Sequence, residues 1–196
     1  SGDPLELLFY PRSIAVIGAT NTEGKLGYNV FHNLLSHQYP GRLYPVNPRA
    51  EYVQGVRAYK DIRDIVDEVD AAILIVPAAS TPEAVKKCCQ KGVKFVINEA
   101  AGFSEIGQEG KALEEEILRT LKSSGTRMLG PNCSGLINTH HNMVQSIGKV
   151  GPLRKGNIGL IAQAGVYAAG LLWVEVIGLR SLTQHFHNIL PAGVAD

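Results

Sequence analysis

The chain alternates short apolar runs with longer amphipathic stretches, and this alternation restricts the folds open to it. The run AAILIV at 71–76 is almost wholly apolar, as in a central strand that is covered on both faces. Parallel strands joined by helical crossovers fit such a pattern, so we predict an α/β fold with a doubly wound parallel sheet. Strands are predicted at 13–18, 42–46, 71–76, 93–98 and 127–129, and helices at 27–36, 61–66, 80–90 and 107–123.

A second unit is predicted after residue 135. The stretch 136–156 is rich in glycine and asparagine and reads as an irregular connection. A strand at 157–163 and an apolar helix at 165–177 then restart the strand–loop–helix theme. We therefore predict a Rossmann-like domain over 1–135, followed by the beginning of a second, flavodoxin-like α/β domain over 157–196. Too few residues follow for a whole second domain, so we expect this unit to be incomplete.

Charge and composition exclude several classes of partner. The net charge of +1 leaves no basic surplus for a nucleic-acid backbone. No apolar run reaches the roughly 18 residues of a membrane span, and no secretory signal is visible. Three cysteines, Cys88, Cys89 and Cys133, lack the spacing of metal ligands and favour a reducing compartment. We predict a cytoplasmic protein without a metal site.

The first predicted strand leads into a glycine-containing stretch, SIAVIGATNTEGKLGY. An NAD-binding fingerprint needs G-x-G-x-x-G directly after the strand and an acidic residue about 20 positions later. The glycines here are Gly18, Gly24 and Gly27, and the second strand ends at Asn47 instead of an acid. The sequence therefore disfavours NAD.

The same stretch has the residues of a phosphate cradle. Thr20 and Thr22 supply hydroxyls, Lys25 supplies a positive charge, and Gly27 allows close approach at a helix N-terminus. A 3′-phosphorylated ADP would use Lys25 together with Arg49. The alternative is that the glycines serve only a tight turn and that Lys25 is solvated.

Because ligands of open parallel sheets bind beyond the carboxyl ends of the strands, three further segments belong to the predicted crevice: 47–49, 76–79 and 98–100.

Five segments in series resemble the coenzyme A (CoA)-binding domain of NDP-forming acyl-CoA synthetases, which are similar to the α subunit of succinyl-CoA synthetase. They are RSIAVIGAT…GKLGYNVFHNLL, GRLYPVNPRA, VDAAILIVPA, INEAAGFSEIGQEG and GPNCSGLINT, and the resemblance covers about residues 5–165. It implies a reversible ligase that converts acyl-CoA, NDP and phosphate into acid, CoA and NTP through acyl-phosphate and phosphohistidine intermediates. It further implies an ATP-grasp domain or β subunit as partner. The family tends to assemble, which makes a homo-oligomer one option, and the oligomeric state is left open.

The resemblance also implies roles for individual residues. The CoA-binding positions are Gly18, Ala19, Thr20, Lys25, Leu26, Gly27, Asn47, Arg49, Val76, Pro77, Asn98 and Glu99. The positions that would handle phosphate are Asn132, Gln163 and Gly165. No catalytic residue is assigned, because none of the six histidines matches the phosphohistidine of the family.

One departure from the family pattern leaves a second function open. Family members tend to read SQSG where this chain has Ala162-Gln163-Ala164-Gly165, so both serine hydroxyls are missing. A helix N-terminus still binds anions without them. The chain is therefore expected to be the N-terminal part of such a ligase. The alternatives are a non-catalytic CoA or acyl-CoA sensor, for example fused to an acyltransferase, and an NAD-dependent oxidoreductase. The acyl substrate and the choice between ADP and GDP are left open.

Overall fold

The computed structural model describes residues 5–162 and the backbone of 182–186. Within these residues, no helix is long and apolar enough to cross a membrane. The elements follow in this order: α1 (Glu6–Phe9), β1 (Ser13–Ile17), α2 (Leu26–Ser36), β2 (Arg42–Val46), β3 (Tyr52–Val53), β4 (Val56–Arg57), β5 (Ala71–Leu74), α3 (Thr81–Lys91), β6 (Phe95–Asn98), α4 (Gln108–Lys122), β7 (Arg127–Leu129), β8 (Leu136–Asn138), β9 (Met143–Val144), β10 (Ile158–Ala162) and β11 (Leu182–Phe186).

The central sheet has five parallel strands in the order β2-β1-β5-β6-β7, which confirms the predicted α/β fold. After β2 the chain crosses back over β1 and adds β5 on its other side. The sheet therefore has a topological switch point between β1 and β5, where the connections leave in opposite directions. In such sheets the crevice beyond the carboxyl ends of these strands is the usual ligand site.

The two faces of the sheet carry separate cores. Val16 and Ile73 lie in the core that includes Phe31 of α2, whereas Leu74 lies in the core that includes Val85 and Ile117 of the helices on the other face. All of these side chains are almost completely buried. Burial of each large side chain contributes roughly 1.5–3 kcal/mol, so the apolar strands hold both helical layers in place.

The helix predicted at 80–90 is α3, and the residue before it, Ser80, is of a type that commonly caps helices with its hydroxyl. Ser80 precedes the helix but makes no side-chain cap hydrogen bond. The cause is a 3₁₀ turn over Ala78–Ser80, which gives Ser80 a helical backbone conformation instead of the extended one of a capping residue. The predicted helix at 61–66 is likewise only a 3₁₀ turn, Ile62–Asp64.

The stretch 136–156 contains two short strands, β8 and β9, so the prediction of an irregular connection is wrong for these residues. These two strands pair with each other, and β8 also pairs with β11 in a second sheet of order β10-β11-β8-β9. Leu136 and Met143 are buried in the same core as α2. The division into domains remains a prediction, and the helix predicted at 165–177 lies outside the described residues.

A buried asparagine attaches α2 to the segment after β9. The amide nitrogen of Asn33 donates to the backbone oxygens of Ser146 (3.0 Å) and Gly148 (2.7 Å). Its amide oxygen accepts a hydrogen bond from the backbone N–H of Val150 (3.3 Å). Because all three bonds join one buried side chain to one loop, this segment is held firmly against the domain core.

Candidate functional site

The glycine loop, residues 18–25, joins β1 to α2 by two very close backbone approaches. Gly18 has φ +96°, and a Cβ there would lie 2.1 Å from the backbone oxygen of Ile75. A Cβ on Gly27 would lie 2.0 Å from the backbone oxygen of Gly18. Only glycine fits both positions. The first turn of α2, whose N–H groups have no acceptor within the helix, is thereby held at the carboxyl end of β1.

A hairpin formed by β3 and β4 supports the glycine loop. The side chain of Asn21 donates to the backbone oxygen of Tyr52 (2.8 Å) and accepts from the backbone N–H of Gln54 (2.7 Å). Sequence reasoning missed this hairpin. The available signal was Gly55, since glycine favours positive φ. Gln54 and Gly55 both have positive φ (48° and 82°), as a two-residue hairpin turn of type I′ requires.

Asn47 connects the glycine loop to the turn after β2. Its amide nitrogen donates to the backbone oxygen of Ala19 (2.8 Å), and its amide oxygen accepts from the backbone N–H groups of Arg49 (2.9 Å) and Ala50 (3.2 Å). The protein itself therefore uses this side chain to position two loops. Direct contact between Asn47 and a ligand stays a prediction.

Two exposed cations flank the glycine loop. Lys25 is the N-cap residue of α2, and Arg49 lies in the turn after β2. Neither forms an ion pair with any residue in the described part of the chain, so both charges are available to an anion. Leu26 begins α2 and is half-exposed, while the hydroxyl of Thr20 accepts a hydrogen bond from the backbone N–H of Thr22 (3.2 Å).

A cleft of about 550 Å³ lies beyond the ends of β1, β2 and β5, against the start of α3. We call it the strand-end cleft. Gly18 and Val76 are the predicted site residues that line it, and Pro77 follows directly in the chain. Its size is that of pockets for small molecules and cofactors. A concavity therefore lies at the switch point of the sheet, where the sequence predicted a crevice.

Charged residues that the sequence did not single out also line the strand-end cleft. Lys87 Nζ lies 2.8 Å from Asp61 Oδ2, and two hydrogen bonds from the Arg63 guanidinium contribute most to lowering the pKa of Asp61. Lys60 forms no ion pair within the described residues. It also borders a neighbouring groove of about 760 Å³ that Arg49 lines. No spacing in the sequence reveals these positions, because they depend on how the hairpin and α3 pack.

Farther along the sheet, Asn98 ends β6, Glu99 follows it directly, and both residues are buried. The Asn98 amide oxygen accepts from the backbone N–H of Ala100 (3.1 Å), and Glu99 Oε1 accepts from Gln145 Nε2 (2.6 Å). Burial raises the pKa of Glu99 to about 8, although the Gln145 hydrogen bond acts in the opposite direction. Asn98 Nδ2 and Glu99 Oε2 have no partner among the described residues.

The turn at 130–135 packs closely on the end of β6. A Cβ on Gly130 would lie 2.3 Å from the backbone oxygen of Asn98. Asn132 is exposed with φ +53°, and its N–H donates to the backbone oxygen of Ala100 (2.9 Å). The other predicted phosphate-handling residues, Gln163 and Gly165, lie outside the described residues. No group of three histidine, cysteine or acidic side chains in the described part of the chain could hold a metal ion.

Comparisons with known proteins give this geometry a family. Residues 12–139 match the family model described as a CoA binding domain. The chain is 46% identical over 172 residues to the α subunit of the ADP-forming acetate–CoA ligase II of Pyrococcus furiosus. It is 44% identical over 186 residues to the ADP-forming acetate–CoA ligase II of Archaeoglobus fulgidus. These alignments cover 88% and 95% of the chain but only 37% and 27% of the two relatives.

A solved structure agrees with the sequence relatives. The apo form of the dinucleotide forming acetyl-coenzyme A synthetase 1 of Candidatus Korarchaeum cryptofilum superposes with a TM-score of 0.87 at 33% identity. The match covers 98% of this chain and 41% of that chain. The chain therefore spans less than half the length of these relatives. Nothing in these matches supports the alternative of a non-catalytic sensor.

The family match includes β1 to β8 and every predicted CoA-binding residue, from Gly18 to Glu99. Its description agrees with the CoA that the sequence resemblance implied, and the glycine spacing had already disfavoured NAD. The chain belongs to the CoA-binding domain family, with the α/β fold of the domain found in NDP-forming acetyl-CoA synthetases.

Proposed function

We propose that this chain is the N-terminal, CoA-binding part of an ADP-forming acyl-CoA ligase. One observation carries the proposal: the glycine loop, with Lys25 at its end, adjoins a ligand-sized cleft at the switch point of the sheet. The two acetate–CoA ligases named above are ADP-forming, which supports ADP as the nucleoside diphosphate of the reaction. The acyl group of this protein is not assigned.

Each part of CoA has a place in this proposal. The pyrophosphate binds the glycine loop and the first turn of α2, where the helix dipole and Lys25 both favour negative charge. The adenosine occupies the strand-end cleft beside Val76 and Pro77. The 3′-phosphate lies near Arg49, and the pantetheine arm extends in the opposite direction, toward Asn98 and Glu99.

The remainder of the reaction requires other parts of the protein. An ATP-grasp domain or β subunit would supply the nucleotide site, and the phosphorylated histidine would lie outside this chain. Gln163, Gly165 and Asn132 are proposed to receive the phosphate, with backbone N–H groups replacing the hydroxyls absent at Ala162 and Ala164. Assembly into a homo-oligomer stays a prediction.

The phosphate assignments can be tested by calorimetric titration with CoA, dephospho-CoA and a pantetheine fragment. Arg49→Ala should weaken CoA about tenfold, equivalent to the roughly 1.4 kcal/mol of one charge-assisted contact, and leave dephospho-CoA unchanged. Lys25→Ala should weaken both nucleotides and leave the pantetheine fragment unchanged. The control is Lys94→Ala, because Lys94 is exposed and lies directly before β6. Equal losses for CoA and the pantetheine fragment in Lys25→Ala would contradict the phosphate role.

A further inference from the structure

The carboxyl of Glu99 is buried, and one of its two oxygens has no hydrogen-bond partner among the described residues. Glu99 is 7% exposed, and Oε1 accepts one hydrogen bond, from Gln145 Nε2 (2.6 Å). The other oxygen, Oε2, is buried and has no partner among the described residues. The neighbouring Asn98 also has a buried amide nitrogen without a described partner. Such groups are rare in folded proteins and call for an explanation.

The surroundings of Glu99 do not provide a partner for a negative charge. No lysine, arginine or histidine forms an ion pair with it in the described part of the chain. The titratable group that faces it is Cys133, whose pKa burial raises to about 12, so that thiol is neutral. Gly135 lies so close that a Cβ there would be 3.2 Å from Glu99 Oε1. A glutamine would pack in this space at less cost, since an amide carries no charge to desolvate.

Glu99 lies at the end of the sheet toward which the thiol end of CoA would extend. This step rests on the proposed function, in which the phosphates lie at the end of β1 and the adenosine lies toward β2. The pantetheine arm then extends past the end of β5 toward β6, which Glu99 follows. The ends of β1 and β6 are two strand spacings apart, roughly 10 Å. The arm spans this distance, so the thiol reaches the neighbourhood of Glu99.

We propose that Glu99 contacts the thiol of bound CoA and exchanges the thiol proton with it through Oε2. When the thiol is activated, the S–H bond breaks, its electron pair stays on sulfur, and the proton joins Oε2. When a thioester is cleaved, the released thiolate takes the proton back from Oε2. No other reactant is consumed in either direction, and the carboxyl returns to its starting state over a full cycle.

The electrostatic environment suits this exchange. Burial raises the pKa of Glu99 from 4.5 to about 8, which brings it much closer to the pKa of a thiol, about 8.5 for cysteine and higher for a simple alkyl thiol such as that of CoA. The smaller this difference, the less proton transfer costs, as a reversible reaction needs. The unused Oε2 supplies the acceptor, and its burial keeps the exchange away from water.

The test compares CoA with desulfo-CoA, which lacks the thiol, by calorimetry at pH 8 in buffers of different ionisation enthalpy. This design gives both the affinity and the number of protons exchanged on binding. In the wild-type protein, CoA should bind severalfold tighter than desulfo-CoA and exchange a different number of protons. In Glu99→Gln both differences should disappear, while Glu109→Gln, an exposed residue in the first turn of α4, should retain them.

The outcomes separate this inference from the proposed function. Equal affinity and equal proton numbers for the two ligands in the wild-type protein would overturn the role of Glu99, and that comparison does not depend on the folding of any variant. Persistence of both differences in a folded Glu99→Gln protein would overturn it as well. If neither ligand binds, the proposed function itself fails.

Discussion

The amide nitrogen of Asn47 lies 2.8 Å from the backbone oxygen of Ala19, so the turn after β2 holds the glycine loop after β1 in position. The same side chain accepts two backbone hydrogen bonds within its own turn. Asn47→Ala removes all three bonds, each contributing about 1 kcal/mol. We expect CoA affinity to fall roughly tenfold, because the phosphate-binding loop is no longer pre-organised. Calorimetric titration measures this, and unchanged affinity would show that Asn47 does not position the loop.

Gly27→Ala tests the contact between α2 and the glycine loop. The added methyl group would lie 2.0 Å from the backbone oxygen of Gly18, so the helix start must move away from β1. Thermal unfolding should show a destabilisation of about 1–3 kcal/mol, with a further loss of CoA affinity in the protein that remains folded. Gly24→Ala is the matched control, since nothing lies within 4 Å of its added Cβ. Its left-handed backbone should cost only about 1 kcal/mol.

Equal effects of the two alanine substitutions on CoA affinity would contradict the close-approach argument. Gly24 and Gly27 differ in neighbours and in backbone conformation, while the methyl group added is the same. A difference confined to Gly27 therefore reports the contact with Gly18 and not a general cost of removing glycine.

The pair formed by Arg12 and Asp70 should affect stability without affecting CoA. The guanidinium contacts both carboxylate oxygens (2.8 and 2.9 Å), and the backbone N–H of Arg12 adds a third bond (2.8 Å). Burial raises the pKa of Asp70, but the interactions with Arg12 together outweigh it and lower the pKa. Arg12→Ala leaves the buried carboxylate of Asp70 without its guanidinium partner, so we expect the free energy of unfolding to fall.

The pH dependence has a definite sign. A lowered pKa in the folded state means that the pair stabilises the protein above the ordinary pKa of 3.8 and ceases to do so as pH falls through the folded value. The penalty of Arg12→Ala should therefore be larger at pH 7 than at pH 3 in denaturant titrations. Arg42→Ala, which breaks the exposed pair with Asp67, is the comparison and should cost less than about 1 kcal/mol.

Glu99 predicts the opposite dependence. Its pKa rises from 4.5 to about 8 in the folded protein, so between these values the folded state holds a proton that the unfolded state has lost. Stability should then fall with rising pH, by an order of 2–3 kcal/mol from pH 6 to pH 8. Glu99→Gln should flatten this dependence in denaturant titrations and make the protein more stable at pH 8. An unchanged slope would mean that Glu99 does not hold its proton.

The parts of the fold that the sequence predicted well have strong local signals. β2 and β7 have their predicted bounds because turn-forming residues follow short apolar runs, and Gly92 ends α3 with φ +78°. The hairpin of β3 and β4, and the strands β8 and β9, were missed because two or three residues show no periodicity. Their pairing depends on partners that only the folded chain brings close.

The same distinction applies to the candidate site. Gly18, Gly27 and Lys25 were predicted because the glycine loop follows a strand directly. Lys60 was missed because it enters the strand-end cleft only through packing of the hairpin and α3. The contact between Glu99 and Gln145 joins residues 46 positions apart, and neither spacing nor composition indicates it.

The central claim is that the glycine loop and the strand-end cleft bind CoA and not a dinucleotide. Parallel calorimetric titrations of the protein with CoA and with NAD test it most directly. We expect saturable binding of CoA, weakened about tenfold in Asn47→Ala, and no measurable heat with NAD. Saturable binding of NAD with no response to CoA would contradict it.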